Sequence, residues 1–365
     1  MDYKHKTKEE LLNICKEKNI LNTKTTKKEI IQLLIDNDNT NTNINTSSNI
    51  NTSSNNPIQS IITTESVRES GLDKFYTIPT IAKKCILKLG EKYDWTKWDL
   101  VIEPSAGSGS FLLQIPTKKC IGIDISPEHK DIIKEDFLMY NPHTYIYQEP
   151  YKDKDIIRQL NINSQNLKNM LVLGNPPFGK ISSLAVKFFN HAAEWASVIA
   201  FIIPKTFRRV SIQNKLNKQF HLVYDDEIPL KPCSFTPPMM VKCCFQIWEK
   251  KETCRDIVEL TTKHKDWEFL SFGPLDTNNQ PTPPEGADFA IRAYGGKCGD
   301  IIKDNLNTLR PKSWHWIKAN TSISITISIL IERFSSLDYS LSKDTARQNS
   351  IGRSDLVKLY SDSYN

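Results

Sequence analysis

VIEPSAGSGSF, residues 101–111, carries the strongest signal for the fold of this chain. Apolar residues lead into two closely spaced glycines, Gly107 and Gly109, as in a buried strand that ends in a tight turn. Ligands of open parallel sheets bind outside the carboxyl ends of the strands, where such a turn lets the backbone come close. Ser105 and Ser108 replace the lysine of a phosphate-binding P-loop, which leaves another kind of nucleotide site or a plain turn.

Strand-like and helix-like segments alternate from about residue 98 to residue 250. The strand-like segments are DLVIEPSAG, KKCIGIDIS, NMLVLGNPPFG and SVIAFIIP, followed by HLVYDDEIP and VKCCFQIWEK as a late strand pair. SLAVKFFNHAAEW has the spacing of an amphipathic helix, and we expect Phe188 and Phe189 in the core. The alternation predicts an α/β fold with a mostly parallel sheet and helices on both faces.

Two acidic residues follow the glycine turn at the ends of later strands. Asp124 in IGIDI can accept hydrogen bonds from both hydroxyl groups of a ribose, and a solvated loop aspartate is the alternative. Asp136 can accept a hydrogen bond from an adenine amine, and Phe137 can pack on the adenine ring. An ordinary strand end is the alternative for this second pair.

GNPPFG, residues 174–179, is the most informative motif of the chain, and it directly follows the apolar strand MLVL. Two consecutive prolines restrict the backbone, so Asn175 presents a side-chain amide oxygen at a fixed position, and the carbonyl group of Pro176 can point the same way. Two acceptors match the two N–H donors of an exocyclic amine, and Phe178 can stack on the base. A plain turn is the structural alternative.

These motifs resemble those of the N6-adenine DNA methyltransferases that have an Asn-Pro-Pro-Phe catalytic loop. The resemblance covers residues 72–250, and KFYTIPTIAKKCI at residues 74–86 is similar to the motif that precedes the glycine turn in the gamma-class enzymes. It implies a Rossmann-like methyltransferase fold, S-adenosylmethionine as the cofactor and no metal. The target adenine is expected to leave the base stack and enter the Asn-Pro-Pro-Phe pocket.

The resemblance also implies roles for individual residues. Those expected to bind the cofactor are Tyr76 and Thr77 at its methionine part, Glu103 at its amino end, Asp124 at the ribose, Asp136 and Phe137 at the adenine, and Pro104, Ala106, Gly107 and Gly109 in the turn. The catalytic residues are expected to be Asn175, Pro176, Pro177 and Phe178. In the later segment PCSFTPPMMVKCCFQIWEK, Phe235 is expected to stack on the flipped base.

Basic residues follow two of the strands at the same edge of the expected sheet. They are Lys180 after the GNPPFG loop, and Lys205, Arg208 and Arg209 after SVIAFIIP. We expect these four side chains to contact nucleic-acid phosphates, with a solvated loop as the alternative. The net charge of +6 and the isoelectric point of about 8.7 are compatible with a polyanionic partner.

Changes in composition divide the chain into four predicted regions. Residues 1–36 form a helical hairpin that resembles a SAP motif, a small DNA-binding module, with Thr7 and Glu10 as a capping box; a partner-docking hairpin is the alternative. Residues 37–65 form an Asn/Thr/Ser-rich linker that we expect to be disordered. Residues 66–252 form the methyltransferase domain, and residues 253–365 form a small α+β region with a possible role in target recognition.

Other features restrict the location and the chemistry. The eight cysteines show no metal-ligand spacing and are expected to be reduced thiols in the cytoplasm. No apolar run is long enough for a membrane span, and MDYKHKTKEE is unlike a secretory signal. Trp314, His315 and Trp316 are expected to form a buried aromatic cluster without a catalytic role.

Three alternatives to DNA adenine methylation stay open. The same loop serves RNA adenine methyltransferases, whether the target is ribosomal RNA or a cap-proximal adenosine. A glutamine side chain also presents a planar NH2 group, but the loop of protein glutamine methyltransferases usually ends in Tyr, where this chain has Phe178. An inactive nucleic-acid-binding module is the third alternative. The sequence indicates neither the target bases nor the oligomeric state.

Overall fold

The computed structural model describes residues 75–143, 167–321 and 325–364, together with six single residues near the start of the chain. The chain divides into two compact units, Met1–Leu72 and Asp73–Asn365. In the first unit, the amide nitrogen of Thr7 donates to Glu10 Oε2 at 2.6 Å, and that of Glu10 donates to Thr7 Oγ1 at 3.3 Å, which confirms the capping box. The rest of the SAP-like hairpin and the linker at 37–65 lie outside the described residues.

A seven-stranded sheet forms the centre of the second unit. The strands of this part of the chain are β1 Tyr76–Thr77, β2 Leu100–Pro104, β3 Cys120–Asp124, β4 Ile132–Lys134, β5 Met170–Gly174, β6 Val198–Pro204, β7 Phe220–Ile228, β8 Phe235–Thr236 and β9 Cys243–Lys250. β1 and β8 form a separate short pair, and the other seven strands form the sheet. The spatial order is β4-β3-β2-β5-β6-β9-β7, and β9 alone runs in the direction opposite to the other six strands. The predicted Rossmann-like α/β fold and the late strand pair are therefore confirmed.

Helices cover both faces of this sheet because successive strand residues point to opposite sides. The helices are α1 Pro79–Lys92, α2 Ser183–Ala192 and α3 Val210–Gln213. On one face, Phe188 and Phe189 of α2 are buried in a core cluster with Ile102, as predicted. On the other face, Ile81 of α1 lies in a second core cluster with Val101.

Residues after β9 form a small α+β region. Its elements are β10 Trp267–Phe269, β11 Phe289–Arg292, β12 Ile301–Ile302, β13 Trp314–Ala319, α4 Ile327–Ser335 and α5 Arg353–Tyr364. The four strands are antiparallel in the order β10-β13-β11-β12, and Trp314, His315 and Trp316 of β13 are buried, as predicted. This region belongs to the same compact unit as the seven-stranded sheet. Across the described residues, none of the helices has the length and apolar character that crossing a bilayer requires.

Candidate active site

The turn after β2 ties the carboxyl ends of two neighbouring strands together. Gly107 donates its backbone N–H to Asp124 Oδ2 at 2.8 Å, and Ser126 donates to Asp124 Oδ1 at 2.7 Å. Gly107 has φ +53°, and a Cβ atom there would lie 2.4 Å from the ring of Tyr76, so only glycine fits. The turn and Asp124 thus lie at one edge of the sheet, where the sequence places them.

Tyr76 and Thr77 reach this turn from β1. The two residues pair with Thr236 and Phe235 of β8. The hydroxyl of Tyr76 donates to Glu128, and burial together with this carboxylate raises the pKa of Tyr76. Thr77 is buried, and its Oγ1 has no hydrogen-bond partner among the described residues. An unpaired buried hydroxyl is costly, so Oγ1 marks a position where a ligand group is suited.

Glu103 lies at the end of β2 and is buried beneath the turn. Its Oε2 accepts a hydrogen bond from the backbone N–H of Leu112 at 2.7 Å. Burial raises the pKa of Glu103 well above its ordinary value of 4.5, and the nearby charge of Asp124 adds to this, against the opposing effect of the Leu112 and Phe111 amides. The carboxyl group fastens the glycine turn to the chain that follows it, which is a structural role that the sequence did not indicate.

The predicted adenine-binding pair at 136–137 separates into two environments. Asp136 is exposed at the end of β4, and its Oδ1 accepts a hydrogen bond from the N–H of Leu138 at 2.9 Å. The ring of Phe137 is 2% exposed and stacks on Phe188 of α2, with ring centroids 5.2 Å apart. The structure thus contradicts the expectation that Phe137 packs on a cofactor ring, because its apolar surface is already covered by the core.

Asn175 follows β5 at the same edge of the sheet. Its Nδ2 donates to the backbone carbonyl of Phe75 at 3.1 Å, and because a carbonyl only accepts, this contact fixes which way the amide faces. Asn175 Oδ1 is buried and has no hydrogen-bond partner among the described residues. The loop therefore holds a strong acceptor oriented by its own donor, next to the segment that carries Tyr76 and Thr77.

The rest of the GNPPFG loop is anchored to α2. The carbonyl oxygen of Phe178 accepts from the N–H groups of Leu184 at 3.2 Å and Ala185 at 3.3 Å, in the first turn of the helix. Pro176 is buried, whereas Pro177 and Phe178 are half-buried, and Phe178 packs against the cluster that contains Phe235. Phe178 thus stays partly accessible, three residues after Asn175.

Phe235 occupies a different position from the one predicted. Its side chain is 3% exposed, and it lies in the same core cluster as Ile81 of α1. A ring this covered has no free face for a base, so the expectation that Phe235 stacks on a flipped adenine is contradicted. Its backbone pairing with Thr77 gives it a role in positioning β1 instead.

Lys205 and Arg208 are paired with carboxylates of the neighbouring strand. Lys205 is buried and forms an ion pair with Glu227, and its ammonium group lowers the pKa of Glu227. Nε of Arg208 donates to both carboxylate oxygens of Asp225, at 3.0 and 3.1 Å, and this pairing raises the pKa of Arg208. Phosphate contacts by these two residues are contradicted, because their charges are already neutralised within the protein.

Arg209 binds the C-terminal segment. Its Nη1 donates to Asp355 Oδ2 at 2.9 Å, Nε donates to the carbonyl of Asp344 at 2.7 Å, and Nη2 donates to the carbonyls of Leu341 and Ser350. The Arg209 and Asp355 side chains are 12% and 9% exposed. We refer to Lys205, Arg208 and Arg209 with their carboxylate partners as the Arg209 cluster. Of the four basic residues predicted to contact phosphates, Lys180 alone is exposed.

Some residues of this edge were not identified from the sequence. The carbonyl of Phe75 orients Asn175 from 100 residues away, and Ser105, with φ +63°, shares the strained turn with the glycines. Phe75 lies within the motif at residues 74–86, but residue types do not reveal the direction of a backbone carbonyl. In the described residues, no three His, Cys, Asp or Glu side chains gather as a metal site.

Neither of two sequence comparisons identifies a protein related to this chain. No protein-family model matches the chain, and no curated protein matches it.

Solved structures match the chain at low similarity. The magnesium protoporphyrin IX methyltransferase ChlM of Synechocystis PCC 6803, with bound SAM, is 10% identical, and the match covers 63% of this chain and 100% of that chain with a TM-score of 0.30. A candidate RNA methyltransferase of Pyrococcus horikoshii is 14% identical over 47% of this chain and 82% of its own, with a TM-score of 0.29. A Streptococcus agalactiae protein of the NADB-Rossmann superfamily is 11% identical over 48% and 71%, with a TM-score of 0.26. No residue correspondence follows at these scores.

Proposed function

We propose that this protein transfers a methyl group from S-adenosylmethionine to the N6 amine of adenine in DNA. One observation carries the proposal: Asn175 Oδ1 is a buried acceptor without a partner among the described residues, held in place by the Nδ2 contact to Phe75. A structural turn has no need of such an acceptor, because an unpaired buried polar atom destabilises the fold. An exocyclic amine supplies the missing donor.

The contribution of Asn175 to the chemistry is positioning and electrostatics. The lone pair of adenine N6 is delocalised into the ring, which makes the nitrogen a poor nucleophile. Asn175 Oδ1 and the Pro176 carbonyl accept hydrogen bonds from its two N–H groups and favour a pyramidal nitrogen with the lone pair directed outward. Phe178, half-buried at the same edge, is suited to stack on the base.

The residues around the glycine turn suit the proposed cofactor. Each carboxylate oxygen of Asp124 accepts one backbone N–H and retains a second lone pair for a ribose hydroxyl. The buried and unpaired Thr77 Oγ1 lies one residue from Tyr76, whose ring covers Gly107. When bound, S-adenosylmethionine supplies a sulfonium methyl group to a nucleophile in line with its S–C bond.

DNA is the proposed substrate class, and three features support it. Phe178 in the GNPPFG loop disfavours a protein glutamine, the net charge of +6 suits a nucleic acid, and the N-terminal hairpin resembles a DNA-binding module, which favours DNA over RNA. The C-terminal α+β region is proposed to take part in recognising the target.

To test the proposed function, the chain is expressed in a bacterial host without adenine methylation, and the host DNA is sequenced for N6-methyladenine. Nucleoside digests of the host DNA and RNA are analysed in parallel. Asn175→Ala is expected to fold, to bind the cofactor and to lose methyl transfer by at least about a hundredfold, the scale for loss of a preorganised hydrogen-bonding group.

If N6-methyladenosine is found in the host RNA and none in the host DNA, the substrate is RNA. Methyl groups on protein glutamine with none on nucleic acid would favour the glutamine amide. Wild-type activity in Asn175→Ala would remove the proposed role of the loop, whatever the substrate.

A further inference from the structure

Ile181 lies six residues after Asn175 in an unusual backbone conformation. Its φ is +52°, in the left-handed region, and it stands between Gly179 at φ +67° and Ser182 at φ +59°. A β-branched side chain in this region is a genuine outlier, because Cβ crowds the backbone. The other described non-glycine residues with positive φ are Ser105, Ser182, Asn279 and Asn305, all small and polar.

Contacts on both sides of Ile181 hold this conformation. The carbonyl of Phe178 accepts hydrogen bonds from the N–H groups of Leu184 and Ala185, and the hydroxyl of Ser182 bonds that of Thr206 at 2.7 Å. Ser182 itself is buried. The segment therefore cannot relax without breaking the anchor of the GNPPFG loop.

The Ile181 side chain gains nothing from this arrangement within the protein. It is 76% exposed, so it contributes little hydrophobic burial while its backbone is strained. Strain that the surroundings impose is concentrated at functional sites, and the inference runs from the observed outlier to a function. A stiff apolar side chain is presented to solvent next to the exposed Lys180, beside the loop that carries Asn175.

We propose that Ile181 is an apolar wedge that inserts into the base stack of duplex DNA beside the target adenine; this rests on the proposed function. A base in a duplex must leave its stack before Asn175 can reach it, and apolar side chains inserted between base steps assist such distortion. The fixed backbone and the restricted χ1 of a β-branched side chain keep the ordering cost of insertion small. Lys180 is suited to contact the adjacent phosphate.

The test uses Ile181→Gly on the full-length protein. Glycine accepts φ +52° without strain, so this variant is expected to unfold at the same temperature as the wild type or higher. Its kcat/KM on a duplex with the methylated sequence found in host DNA is expected to fall roughly tenfold or more. A duplex with an abasic site opposite the target adenine, and the single strand, need less unstacking and should be methylated within about threefold of the wild type.

Two further variants separate a wedge from a structural role. Ile181→Leu keeps an apolar side chain and should retain duplex activity within about threefold. Leu87→Ala removes an exposed apolar side chain of α1, 58% exposed and outside the site, and should leave all three substrates unaffected. A loss in Ile181→Gly that is equal on the three substrates would assign Ile181 to the structure of the loop and overturn the wedge.

Full activity of Ile181→Gly on the intact duplex would also overturn the proposal. If the wild-type protein methylates the single strand but no duplex, the proposed wedge role of Ile181 is overturned while the proposed methyl transfer stands. A wild-type protein that methylates none of the three removes the proposed function, and the wedge with it.

Discussion

Two groups of polar side chains lie at the carboxyl edge of the same sheet, and they differ in how their atoms are paired. Around the GNPPFG loop, Asn175 Oδ1 and Thr77 Oγ1 are buried without partners among the described residues. In the Arg209 cluster, the three basic residues bind carboxylates or carbonyls of the protein itself. A polar residue near a site therefore indicates binding only when its hydrogen-bonding capacity is left open.

Among variants in these two groups of side chains, Arg209→Ala is expected to change the free energy of unfolding the most. Arg209→Ala leaves the buried Asp355 without its cationic partner and removes a hydrogen bond from each of three carbonyls, so the free energy of unfolding should fall by about 3 kcal/mol. Denaturant unfolding of the full chain measures this. Lys180→Ala, an exposed lysine at the same edge, is the control and should change stability by less than about 0.5 kcal/mol. Equal small losses in both variants would show that Arg209 is not a structural residue.

Asp124 tests whether the polar group around the glycine turn binds a ligand. Asp124→Asn keeps the shape but removes the charge that we propose for the ribose, so the dissociation constant for S-adenosylmethionine should rise about tenfold. Titration calorimetry measures this, with Asp362→Asn, an exposed aspartate of α5 outside the site, as the control. If cofactor affinity is unchanged in Asp124→Asn, the turn is structural, as the Arg209 cluster is.

Glu103 gives a smaller effect that depends on pH. The folded protein holds its proton more tightly than the unfolded chain, since burial raises the pKa above 4.5. Stability from this group is therefore present at low pH and is lost as the pH rises through the folded pKa. As the pH rises above the ordinary pKa of 4.5, Glu103→Gln should become more stable than the wild type, by about 1 kcal/mol. A difference that does not change with pH would mean that Glu103 stays ionised.

Much of the fold is predictable because its signals are local. The strand, turn and carboxylate at 101–124 each follow from nearby residues, and the GNPPFG loop lies where its preceding strand puts it. Most of the N-terminal hairpin, the linker and residues 144–166 lie outside the described residues, so the regional boundaries stay predictions. The small α+β region after 253 was predicted only in outline, because its short strands lack a regular pattern.

The predictions that were wrong concern side chains that residues distant in the sequence contact in the folded protein. Arg209 looks free in its own segment, but Asp344 and Asp355, 135 and 146 residues later, satisfy it. Phe137 looks suited to a base, yet Phe188 of α2 covers it. An aromatic or a cation is equally suited to a ligand and to the protein interior, and only the tertiary structure decides between them.

The antiparallel strand β9 has a consequence for biosynthesis. It lies between β6 and β7, so until Cys243–Lys250 has emerged from the ribosome, β6 has no neighbour on one side and β7 has none at all. The glycine turn and the GNPPFG loop are translated well before this strand. Nascent chains of this length therefore expose the unpaired apolar edge of β6 for a time on the order of several seconds.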